Sequence, residues 1–446
     1  MKNYSTPVFK MIKSKGLVDS KNILLLTLYV VSFLAFLRLS HWTMGFQGSI
    51  FSDPVVLTKF LMRITSFSVA FLYFFRYIRF INYYVRTPSL EMLLFLVVAF
   101  LSLTYTPDFV YSVFRLTEHI GFFVVSLVIV INLSRRTNNP NEVLAIGVRL
   151  ILYGMGLLIG TVWLSVIFWP EYAFRHVIGE IEGLGGSILD MHTLAIISSI
   201  VYSINLNRLF SISDNNKLIN LTLSAMMLVT IYLTHSRTAL FIVLLATLVI
   251  LYRTRSGILK LLLYAFLGIV AVVGTAMYLN DIMEYVLRGQ SYEELLLLTE
   301  RGRFWTILIS DTLSDSPILG YGYQMLSHDG LLKNFNDFGY SISNAHNVFI
   351  QTFSGLGLIG FSLLSYHLLR VVISLRYVYR YAEAHEKNNI FELIIIFIIC
   401  ILASITQHGI VGMTTPIVPT YMMLIMLLTY LRLQLKVSMQ AKLNKH

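Results

Sequence analysis

The stretch Leu218–Leu251 reads LINLTLSAMMLVTIYLTHSRTALFIVLLATLVIL. Two apolar runs, 218–234 and 238–252, flank one polar turn, His235-Ser236-Arg237. A helix needs roughly 20 mostly apolar residues to cross the hydrocarbon core of a bilayer. Each run has about that length, and a three-residue turn can join them only as a tight hairpin. The pair therefore reads as two consecutive membrane-spanning helices, with a histidine and an arginine at the tip.

The whole chain follows the same pattern. Of its 446 residues 56% are hydrophobic and only 13% charged, with a mean hydropathy of +0.72. Soluble domains carry about 25% charged residues. No water-soluble fold hides so much apolar surface, so the class is an all-α polytopic membrane protein. Twelve apolar runs are read: 22–40, 56–75, 88–105, 115–133, 143–169, 192–207, 218–234, 238–252, 261–279, 347–369, 390–406 and 416–432. The fourth carries Arg115, Glu118 and His119 at its start. The chain divides into spans one to nine over 1–279, a loop over 280–346, and spans ten to twelve with a tail over 347–446. Nothing at the N-terminus reads as a cleavable signal, because Met1–Ser20 is basic and polar.

A net charge of +11 raises the question of nucleic acid. The basic residues lie in short, alternating loops without the clustering and aromatic interleaving that nucleic-acid binding requires. They include Lys10 to Lys21, Arg76 to Arg86, Arg135 and Arg136, Arg208 and Lys217, Arg253 to Lys260, Arg376 to Lys387, and Lys436 to Lys445. The positive-inside rule places these loops and both termini in the cytoplasm of a bacterial inner membrane. The long loop 280–346 then faces the periplasm. It holds a helical stretch, Phe304–Leu313, and a turn, Gly320-Tyr321-Gly322-Tyr323, and a structured loop of this length is usually functional. The single cysteine, Cys400, rules out disulfides and thiolate metal clusters within the chain.

Three places put a cation or a titratable ring at the outer face. Arg237 follows His235 at the hairpin tip; it reads either as a snorkelling anchor or as a planar fork suited to phosphate. Arg301 and Arg303 precede Phe304 and Trp305; they read either as the start of an interfacial helix or as a phosphate clamp aided by the helix dipole. His346 lies between Asn344 and Asn347 just before a span. It is either a structural residue or, with an ordinary histidine pKa near 6.5, a general base whose tautomer an asparagine fixes.

Taken together these signals form a pattern. Ser-Arg-Thr-Ala-Leu at 236–240 is followed by Arg-Gly-x-x-Trp at 301–305, then by Ser-Pro-Ile-Leu-Gly-Tyr-Gly at 316–322. Ala-His-Asn and a glutamine come next over 345–351, then Gly-Leu-Gly-Leu-Ile-Gly at 355–360. This order resembles the family of O-antigen ligases and Wzy-type O-antigen or exopolysaccharide polymerases. The resemblance implies a GT-C-like membrane glycosyltransferase whose donor is a glycan on undecaprenyl diphosphate. It assigns Arg237, Arg301 and His346 to catalysis, with Arg303 competing for the second diphosphate-binding role. Where relatives have an Asn-Pro-Asn-like stretch before the sixth span, this chain has Leu189-Asp190-Met191-His192.

On this reading His346 takes a proton from the acceptor hydroxyl while Arg237 and Arg301 hold the diphosphate as it gains charge. A single displacement inverts the anomeric carbon and needs neither metal nor other cofactor. Asn344, Asn347, Tyr321, Tyr323 and His235 are further substrate-binding candidates. Glu180, Glu182, Asp190, His328 and Asp329, like His235, read either as solvated loop residues or as acceptor-binding groups or an alternative base. Trp42, Trp163, Trp169, Tyr321 and Tyr323 read as platforms on which sugars stack, with Trp169, at a span end, better suited to anchoring in the membrane interface. The acceptor is a second lipid-linked glycan for a polymerase or lipid A-core for a ligase. A chain-length regulator or a flippase is a candidate partner. A transporter would need paired intramembrane charges; Lys59, Arg63 and Arg149 are the candidates and lack evident carboxylate partners in the sequence.

Overall fold

The computed structural model describes residues 20–37, 54–137, 139–176, 182–186, 188–211, 216–254, 268, 301–324, 345–384, 386–407, 409–412 and 415–443. Eleven of the twelve expected apolar runs fall on helices there; the ninth, 261–279, lies outside the described residues apart from Gly268. The helices are α1 (Ser20–Ser32, extended by a 3-10 turn Phe33–Phe36), α2 (Pro54–Tyr84), α3 (Ser89–Leu101, extended by Ser102–Thr104), α4 (Phe109–Ser134) and α5 (Pro140–Phe168). Then follow α6 (Met191–Phe210), α7 (Lys217–Leu233), α8 (Arg237–Thr254), α9 (Arg301–Asp315), α10 (Val348–Tyr381), α11 (Lys387–Thr406) and α12 (Ile417–Leu443). Seven of these are long and apolar enough to cross a membrane. Between α5 and α6, where only loop was expected, a one-turn helix, Pro170–Ala173, leads into β1 (Phe174–His176), which pairs antiparallel with β2 (Glu182–Leu184), Phe174 opposite Leu184.

The helix ends are written locally. Asp108 accepts from the Tyr111 amide to start α4, and Asp190 accepts from the Thr193 amide and hydroxyl to start α6. Pro140 opens α5, where a missing N–H costs nothing, behind an Asn139 cap. The middle of the bundle is α12. Tyr421 to Leu428 are all buried there, and the helix packs against α4, α5, α10 and α11. By contrast Leu72, Phe75 and Ile78 of α2, Ile167 of α5, and Leu218 and Ile219 of α7 stay exposed. Apolar side chains turned outward over a whole bundle mark a surface made for lipid.

The turn between α7 and α8 is as short as the sequence implies, but the two helices part beyond it. Each lies mainly against α6 instead. Small residues explain the choice. Ala195, Ser198, Ser199 and Ser203 of α6 are buried, and such residues let helix backbones approach closely in a membrane. The serines also dispose of their hydroxyls locally: Ser199 and Ser203 donate to the carbonyls four residues earlier.

Polar contacts at one end of the bundle fix helix directions. Arg208 near the end of α6 makes a two-point ion pair with Glu392 near the start of α11, at 2.8 and 2.9 Å. Arg253, in the last described turn of α8, donates to Asn207 and Asn388 at 3.3 and 3.2 Å and stacks on Phe391. This is the basic end of the molecule. Arg370 pairs there with Glu91, and Arg135 lies over Tyr77 and Phe80.

Candidate functional site

The opposite end is fixed by the same contacts. The 18 residues of α8 span about 27 Å and the 20 of α11 about 30 Å at 1.5 Å per residue. Since Arg253 and Asn388 meet at the basic end and the two helices pack together, their other ends, Arg237 and Thr406, lie at similar depth on the far side. The start of α6 at Asp190 and His192 shares that side.

Arg301, in the first described turn of α9, donates from Nη1 to the Thr406 carbonyl at 3.3 Å. It therefore sits at the end of α11, the helix that packs along α8. One turn on, Trp305 donates from Nε1 to the Ala345 carbonyl at 2.7 Å, next to His346. Phe304, Leu308 and Ala345 form a small buried cluster of their own, with Ile350 against it. So α9, which the sequence showed as Phe304–Leu313, also includes Arg301. It bridges the end of α11 and the start of α10. Arg237, Arg301 and His346, which are 109 positions apart in the chain from first to last, are brought to one end of the bundle, each half-buried.

Backbone conformation marks the same places. His235 and His346 adopt left-handed backbones, with φ of 51° and 48°. Such residues are uncommon outside glycine and cluster at functional sites. At His346 the reversal lets Asn347 cap α10: its side-chain oxygen accepts from the Phe349 and Ile350 amides at 2.9 and 3.2 Å. The role of Asn347 is thus to start the helix, whereas the sequence offered it as a tautomer-fixing partner.

The Gly-Tyr-Gly turn and the Gly-Leu-Gly-Leu-Ile-Gly motif explain each other. Helix α10 breaks at Gly357, whose φ of 60° and ψ of −160° only glycine tolerates. The groups freed by the break are taken up by the turn. Tyr321 and Gly322 donate from their amides to Ser354 and Gly355 carbonyls at 2.9 and 2.7 Å, and Leu358 and Ile359 donate to Pro317 and Ile318 at 2.8 and 3.3 Å. Broken helices at membrane depth are allowed only where protein satisfies the backbone in this way. The backbones are so close that a Cβ on Gly357 would lie 2.2 Å from the Ile318 carbonyl oxygen. The turn is also tied to the start of α4, where Ser112 donates to the Tyr323 carbonyl, and to the end of α3, where Tyr105 donates to that of Leu319.

Within the turn the two tyrosines differ. Tyr321 is half-buried, donating to the Asp311 carbonyl and to Asp315 Oδ2 at 3.0 and 3.1 Å. Burial, the hydrogen bond and charge of Asp315, and the charge of Asp311 push its hydroxyl up to about 12. Tyr323 was a candidate for stacking on sugar, and here the expectation is corrected. It is 3% exposed, its hydroxyl donates to the Val411 carbonyl at 3.3 Å, and His119 meets its ring edge-on at 5.9 Å. A ring enclosed in this way presents no face to a ligand. Burial raises its hydroxyl well above the ordinary tyrosine value.

Other candidates resolve as follows. Trp163 donates to Thr230 Oγ1, and Trp169 is exposed at the end of α5, as an anchor would be. Asp190 is occupied as a helix cap. Arg63 does have a carboxylate partner: Glu118 of α4, held also by Arg115 at 2.9 Å, so the charges of the fourth span and those of the second close on each other. The side chain of Arg303, together with Asn344, Trp42, Glu180, His328, Asp329 and the segments 280–300 and 325–344, lies outside the described residues. So does the side chain of Glu182, whose backbone belongs to β2.

Residues the sequence did not single out complete the site. Thr406 and Val411 offer the carbonyls on which Arg301, Tyr323 and Gln324 converge, and Gln324 itself adopts a left-handed backbone with φ of 61°. Backbone carbonyls leave no mark in a sequence. Gln351 was part of the quoted motif but without a role.

Residues 222–365 match the family model described as O-antigen ligase. The match begins within α7 and ends within α10, and so takes in every motif on which the resemblance rested, from Arg237 to Gly360. It supports the O-antigen ligase and Wzy-type assignment, and with it a membrane-embedded protein with ligase- or polymerase-type function on glycan and lipid-linked substrates in general. Among curated proteins no relative matches the chain.

Proposed function

We propose that the chain is an inner-membrane glycosyltransferase that moves a glycan from undecaprenyl diphosphate to an acceptor sugar hydroxyl on the periplasmic side, as an O-antigen or exopolysaccharide polymerase. The observation that carries this reading is the convergence, through α8, α9, α10 and α11, of two arginines and one histidine on the end away from the basic loops. Two cations and one ring that can accept a proton are what the reaction asks for.

In this mechanism His346 removes the proton of the attacking hydroxyl, a step worth about 10²–10⁴ in rate. The C–O bond to the diphosphate breaks as the new glycosidic bond forms, and the lipid diphosphate leaves with the electron pair. Arg237 and Arg301, with Arg303 beside them in sequence, hold the diphosphate and offset its growing charge from fixed positions. One displacement inverts the anomeric centre. Asn344, Tyr321 and His235 are proposed to contact the substrates.

The family description itself favours a second reading, in which the acceptor is lipid A-core and the chain is a ligase. Both readings share the donor chemistry and differ only in acceptor. Purified protein is supplied with lipid-linked glycan and, in separate reactions, a second lipid-linked unit or lipid A-core. The polymerase reading expects longer lipid-linked chains with inverted anomeric configuration in the first reaction. Product only on lipid A-core would replace it with the ligase reading. No glycosidic product in either reaction would contradict both.

A further inference from the structure

The left-handed backbone at His346 persists only if its neighbours are held. On one side the hold is Trp305 Nε1 on the Ala345 carbonyl. On the other it is a chain of amides. Gln351 stands one turn after Asn347, bonded to its carbonyl at 2.9 Å and on the same helix face. Gln351 Nε2 donates to Gln324 Oε1 at 2.8 Å, and Gln324 Nε2 donates to the Val411 carbonyl at 2.7 Å. Tyr323 donates to that same carbonyl. Gln351, Gln324 and Tyr323 are 5%, 3% and 3% exposed.

Gln324 accepts from Gln351 through Oε1 and donates to Val411 through Nε2, so the chain has a direction: reversing Gln324 breaks both bonds and reversing Gln351 breaks the one between them. The cavity beside it, of about 10 Å³, has room for one water and none for a sugar ring. These groups are therefore built to hold protein.

We propose that Gln351, Gln324 and Tyr323 are positioning residues that fix the start of α10, and with it His346, against Val411. Its neighbour Ile410 is tied to α11 through its amide on Ser404 Oγ at 3.2 Å, and α11 receives Arg301 at Thr406, so the relay sets the distance between base and diphosphate clamp. The inference rests on the reading of His346 as the base.

The test uses the full-length protein in detergent and purified lipid-linked glycan. Gln351→Met and Gln324→Met keep side-chain length and remove the amide. A displacement near 1 Å of a catalytic group costs up to about 100-fold in rate, so each variant is expected to lose about 10- to 100-fold in kcat. KM for the lipid-linked glycan stays near wild type, the melting temperature falls by the few degrees that a lost buried hydrogen bond costs while the protein stays folded, and the double variant is no slower than either single one. Should a methionine variant fail to fold, Tyr323→Phe, which deletes one hydroxyl, carries the same kcat-only expectation at smaller size. Wild-type kcat in the folded variants, or a loss expressed equally in KM, would overturn the relay. Full activity in His346→Ala is a separate result and would overturn the reading beneath it.

Discussion

At the scale of single residues, Gly357 shows how a motif becomes geometry. Its conformation is closed to side chains, and a Cβ would meet the Ile318 carbonyl at 2.2 Å. Backbone strain of this kind costs about 1–3 kcal/mol before the clash is counted, so Gly357→Ala should lower the melting temperature in detergent by several degrees. Gly156→Ala in α5, where nothing lies within 4 Å of the new methyl, is the control and should leave it unchanged or raise it. Tyr321 makes a prediction about pH. Its hydroxyl titrates near 12 in the folded protein against an ordinary 10.0, so folding favours the neutral phenol. The sign follows: its contribution is fully present below pH 10 and is lost as pH rises toward 12. Melting curves from pH 9 to 11.5 should show the wild type losing ground relative to Tyr321→Phe, and a constant difference between the two would contradict the assignment. The same turn shows where sequence reading stops. Tyr321 and Tyr323 look alike in Gly-Tyr-Gly-Tyr, and only packing against His119 and Val411 separates a half-exposed ring from a buried one.

At the scale of elements, the site depends on α9 as a strut between α11 and α10. Trp305→Phe keeps the ring in the cluster with Phe304 and Ala345 but deletes the bond to the Ala345 carbonyl. A hydrogen bond of this kind is worth about 0.5–1.5 kcal/mol net, so the variant should fold and insert while losing glycosyl transfer, read by product formation per mole of folded protein. Unchanged transfer would mean that the strut does not matter to His346. Much at this scale was legible beforehand. Hydropathy located eleven helices, because a bilayer imposes a length that water does not, and the polar turn at His235 ended α7 where expected. The break in α10 was not legible as a break, since Gly-Leu-Gly in an apolar run also suits an unbroken span. Its meaning lies in the partner turn some 35 residues earlier, through the Gly322 amide on the Gly355 carbonyl. The parting of α7 from α8 was hidden for a similar reason: the preference belongs to the small face of α6. The Arg63–Glu118 pair joins two spans that looked, one at a time, like unpartnered charge.

At the scale of the whole molecule, charge asymmetry and the site make one joint claim. The basic end, with Arg208, Arg253 and Arg370 in ion pairs and amide contacts, is proposed to face the cytoplasm, and the end bearing Arg237, Arg301 and His346 the periplasm. The only native thiol, Cys400, is buried, so single added cysteines report cleanly. Glu171→Cys, exposed after α5, should react with a membrane-impermeant maleimide in spheroplasts of the host cell, and Arg376→Cys only after permeabilisation. The reverse pattern would turn the site to the wrong side of the membrane. The central claim is chemical, however, and its most direct test is glycosyl transfer from purified lipid-linked glycan by the wild type, Arg237→Ala and His346→Ala, each shown to be inserted and folded. The account predicts glycosidic product with the wild type and a loss of at least about 100-fold with either variant. Full transfer by either folded variant would contradict it.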